Sequence, residues 1–62
     1  MFYEFVITLV NQRTGEQKVI EPIVDCKKGY REAWQYIARY ADDILESQDD
    51  HYWYIKSIEH RI

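Results

Sequence analysis

Cysteine, proline and glycine are all scarce in this chain: one, one and two among 62 residues. A lone cysteine, Cys26, cannot close an internal disulfide, which excludes the stapled framework of small secreted domains. With so few breakers there is no linker, repeat or low-complexity stretch. Nowhere does an apolar run approach the ~20 residues of a membrane helix. Met1 leads straight into extended sequence rather than a basic-then-apolar leader. The expectation is a folded cytoplasmic protein with no membrane span. Positive charge is also short, 8 Lys+Arg against 11 Asp+Glu for a net charge of −3. The broad basic field that a phosphate backbone requires is therefore missing. No catalytic motif is present, so the reading is a non-enzymatic protein without a cofactor.

Aromatic residues are abundant by contrast, at 16% of the chain. A chain of ~60 residues buries only about 60% of its unfolded surface. Large rings supply the most apolar area per residue, which suits a small core, a binding surface or both. The length predicts one domain over residues 1–62.

Residues 2–10 are β-branched, aromatic and nearly uninterrupted. Tyr3, Phe5, Ile7 and Leu9 share one face, while Phe2, Val6 and Val10 alternate with Glu4 and Thr8 on the other. A strand apolar on one face and mostly apolar on the other belongs in the middle of a sheet. The polar stretch from Asn11 to Glu16 predicts a hairpin loop, and residues 17–24 a second strand. Pro22 has no N–H for a ladder, so that strand is expected at an edge, with Pro22 facing solvent or a bulge.

Gly29, with Glu32 three residues on, reads as a helix start. Tyr30, Ala33, Trp34, Ile37, Ala38, Ala41, Ile44 and Leu45 then form a helical apolar stripe, predicting a helix over 30–46. Residues 51–60 predict a third strand of imperfect alternation. A bulge near Lys56 and Ser57 would return Ile58 to the side of Trp53 and Ile55. The fold class is thus α+β, a two-layer ββαβ arrangement. Its antiparallel sheet has strand order 2-1-3, with one amphipathic helix on one face.

This order of elements, with Glu21-Pro22-Ile23-Val24 leading into Tyr30-Arg31-Glu32-Ala33-Trp34, resembles the small ββαβ accessory proteins of phages and mobile elements. That group includes a coliphage-encoded inhibitor of bacterial RNA polymerase. The resemblance covers roughly residues 17–60 and implies an accessory protein that binds a larger host machine. The matching residues are structural, so no contact residue carries over.

Three groups of residues are candidates for contact with a partner. Asp42, Asp43, Glu46, Asp49 and Asp50 put five acids and no base into nine residues, leaving eight bases and six acids elsewhere. They lie toward the helix C-terminus, where the macrodipole favours cations. The segment is either a solvated helix end or a docking patch for a protein with a basic surface. Tyr36, Arg39 and Tyr40 lie together on the helix side away from the apolar stripe. They either extend the cover of the core or form a binding surface of the kind enriched in Tyr and Arg. Phe2, Val6, Val10, Tyr52 and Tyr54 are left uncovered by a single helix, which predicts a homodimer through that face.

The sheet tyrosines also suit base stacking, but bases cluster only at Lys27, Lys28 and Arg31, so nucleic acid is the weaker alternative. A purely structural homodimer is the third reading. His51 and His60, nine residues apart, and the distant Cys26 do not make a metal site. Cys26 has no assignable base beside it and reads as an ordinary thiol.

Overall fold

The computed structural model describes residues 1–61. Strand β1 (Phe2–Asn11) is followed by β2 (Gln17–Ile20), β3 (Ile23–Asp25), helix α1 (Tyr30–Glu46) and β4 (Trp53–Arg61). All pairing is antiparallel and all of it passes through β1, with β2 and β3 along one side and β4 along the other. This is the expected 2-1-3 order of an α+β ββαβ fold, with the second strand in two pieces.

The break in that strand falls at Glu21-Pro22, and its orientation corrects the expectation. Ile7 pairs with Ile20 and Tyr3 with Val24 in one continuous register. Pro22 thus occupies a position that faces β1. Its carbonyl accepts the Phe5 N–H at 3.0 Å, but a proline cannot return a bond to the Phe5 carbonyl. The ladder is interrupted from within rather than at the solvent edge.

The hairpin turn is organised by Asn11, the one buried polar residue among those described, 3% exposed. Its Oδ1 accepts the Arg13 and Thr14 amides at 2.9 and 3.0 Å. The Gly15 N–H donates to the Asn11 carbonyl at 2.8 Å. Gly15 sits at φ 78°, in the left-handed region that lets the four residues 12–15 turn back between the paired Asn11 and Glu16.

On β4, Thr8 pairs with Ser57 and Leu9 with Ile55, so Lys56 is the extra residue of a bulge. Ile58 thereby pairs with Ile7, on the core side, as the spacing predicts. The strand begins at Trp53, not His51: His51 and Tyr52 lie in the preceding turn.

Helix α1 starts after Gly29 at φ 110°, which explains glycine at the cap. It buries Ala33, Ile37 and Ala41 against Phe5, Ile7, Leu9 and Val24. Trp34, Ile44 and Leu45 close the margins of this core. Tyr30 and Ala38, expected on the apolar stripe, are exposed. The sheet is narrow, so only the helix positions directly above β1 are fully enclosed. At the α1 N-terminal end, Phe5 meets Trp34 edge-on with centroids 5.0 Å apart. His60 lies 4.9 Å from the Tyr30 ring and 5.3 Å from Phe5.

Candidate functional site

The 3.6-residue period that turns Ala33, Ile37 and Ala41 inward necessarily turns a second row of side chains outward. Glu32, Gln35, Tyr36, Arg39, Tyr40 and Asp43 follow one another along the solvent side of α1. They line an open furrow of about 250 Å³. Tyr36 is 61% exposed and Tyr40 37%, so Tyr36 stands mostly in solvent while Tyr40 is the more covered of the two. A second hollow of about 250 Å³ lies between β3 and α1, lined by Ile23, Val24, Asp25, Cys26, Glu32 and Tyr36. Glu32 and Tyr36 line both, so the two hollows adjoin at these side chains. Neither tyrosine is tied to a neighbour by a hydrogen bond among the described residues.

The acidic segment divides into two kinds of residue. Asp42, Asp43, Glu46 and Asp49 are exposed. The two ion pairs among the described residues involve neither these acids nor Asp50: they join the N-terminal ammonium to Asp25 and Arg61 to Glu21. Asp50 is half-buried and built into the turn. Its Oδ1 accepts the Tyr52 N–H at 2.9 Å and its Oδ2 accepts from Asn11 Nδ2 at 3.4 Å.

No basic residue occupies the last turn of α1. Its end is held by neutral donors instead. Ser47 Oγ and Gln48 Nε2 both donate to the Ile44 carbonyl, at 2.7 and 2.9 Å. Lys18 Nζ donates to Gln48 Oε1 at 2.8 Å and lies 4.5 Å from the Trp53 ring centre. Asp43, in the furrow, and Asp42 and Glu46 beside it bring the acids and the tyrosines onto one helix.

On the opposite side of the sheet, Phe2 and Tyr54 are exposed while Val6 and Val10 are half-buried. Tyr54 pairs with Val10. Tyr52 is set in the turn, with the Arg13 guanidinium 5.6 Å from its ring centre. Sequence reasoning missed Val19 and Ile23, which pair with Thr8 and Glu4 and so extend this face. The strand alternation of residues 17–24 carries that signal, obscured by the proline break.

Cys26 is a free thiol packed at the core margin. His51 and His60 lie at opposite ends of the sheet. Among the described residues, no three of His, Cys, Asp and Glu gather where they could hold a metal ion. No helix among them is long and apolar enough to cross a membrane. Comparison with family models, curated proteins and solved structures gives no match to the chain.

Proposed function

We propose that the chain is a non-enzymatic protein-binding module whose contact surface is the outer side of α1. The observation that carries this reading is the furrow of Tyr36, Arg39 and Tyr40 between Glu32 and Asp43, continued by Asp42 and Glu46. Tyr and Arg are the residue types that most often dominate binding energy. A flank of unpaired acids steers a partner with a basic surface. Asp49 belongs to that flank, whereas Asp50 shapes the turn that presents it. An accessory or inhibitory role like that of small phage and mobile-element proteins fits such a module. A cytoplasmic setting fits its unpaired cysteine.

The nucleic-acid alternative is less well supported. Tyr52 and Tyr54 sit beside Val10 and Gln12 at the hairpin end of the sheet, whereas Lys27, Lys28 and Arg31 sit at the other end, by Met1.

Capture from host lysate, run in parallel with three baits, tests the proposal. A protein retained by the wild type should be lost from a bait with Tyr36, Arg39 and Tyr40 changed to Ala. It should be weakened, and made less salt-sensitive, when Asp42, Asp43, Glu46 and Asp49 become Asn or Gln. Equal retention by all three baits overturns the assignment of this surface.

A further inference from the structure

We draw no further inference here: the strongest candidate, the face of the sheet away from α1, where Phe2, Val6, Val10, Val19, Ile23 and Tyr54 lie among the exposed acids Glu4 and Glu59, carries none because nothing in the structure shows what covers it.

Discussion

Asn11 does three jobs with one side chain. Its carbonyl oxygen takes two turn amides, and its amide nitrogen reaches Asp50, thirty-nine positions along the chain. Because it is buried, removing it strands those partners as well as losing the bonds. Asn11→Ala should cost about 1–3 kcal/mol, read as a lower denaturant midpoint with an unchanged slope. Asp50 answers it from the acidic segment, so the five acids are not interchangeable. Asp50→Ala should destabilise the fold, while Asp49→Ala, exposed and without a hydrogen bond among the described residues, should fall within about 0.5 kcal/mol of the wild type. Trp34 is the corresponding apolar case. Its ring stands edge-on to Phe5 at 5.0 Å but keeps part of its surface in solvent. Trp34→Ala should therefore cost about 3 kcal/mol, the low end for a large core ring, measured by the same denaturant titration.

Helix α1 and the broken edge strand show how single elements carry conflicting demands. The helix places Asp42, Asp43 and Glu46 at its negative end with no base in the last turn, against the preference of the macrodipole. Neutralising those three should raise thermal stability slightly, by about 0.3 kcal/mol each at low salt, with the gain fading as salt is added. Stability and partner steering would then move in opposite directions in one set of variants. At the sheet edge, Pro22 withholds a bond from the Phe5 carbonyl and divides an otherwise continuous strand into β2 and β3. Across the sheet, the Lys56 bulge interrupts β4. Both are devices that discourage edge-to-edge pairing. Pro22→Val should restore the missing bond, giving a slowly exchanging amide at position 22. It should also increase aggregation, followed by light scattering, because a long flat edge is left open.

At the scale of the whole molecule, one helix on three strand lanes leaves two unequal surfaces. The helix side is polar, aromatic and acidic toward one end; the sheet side mixes Phe2, Val6, Val10, Val19, Ile23 and Tyr54 with the exposed acids Glu4 and Glu59.

What the sequence determined by itself is whatever local physics decides. The helix over 30–46 was legible because periodicity and a glycine cap act within a few residues. The central position of β1 was legible because one of its faces is apolar and the other mostly so. The 2-1-3 order followed from a short hairpin loop and one helical crossover. The bulge was legible as well, because Ile58 would otherwise face away from the core. Tertiary structure decided the remainder, since each remaining feature depends on what a residue meets far along the chain. Pro22 faces β1 because the register continues unbroken past it. Asp50 is structural because Asn11 lies beneath it. Tyr30 and Ala38 stay exposed because the sheet beneath the helix is narrow. Val19 and Ile23 share the face of Val6 and Val10 because antiparallel pairing aligns them across β1. Alternation and helical period report which side a residue turns to; only pairing and packing decide what waits there.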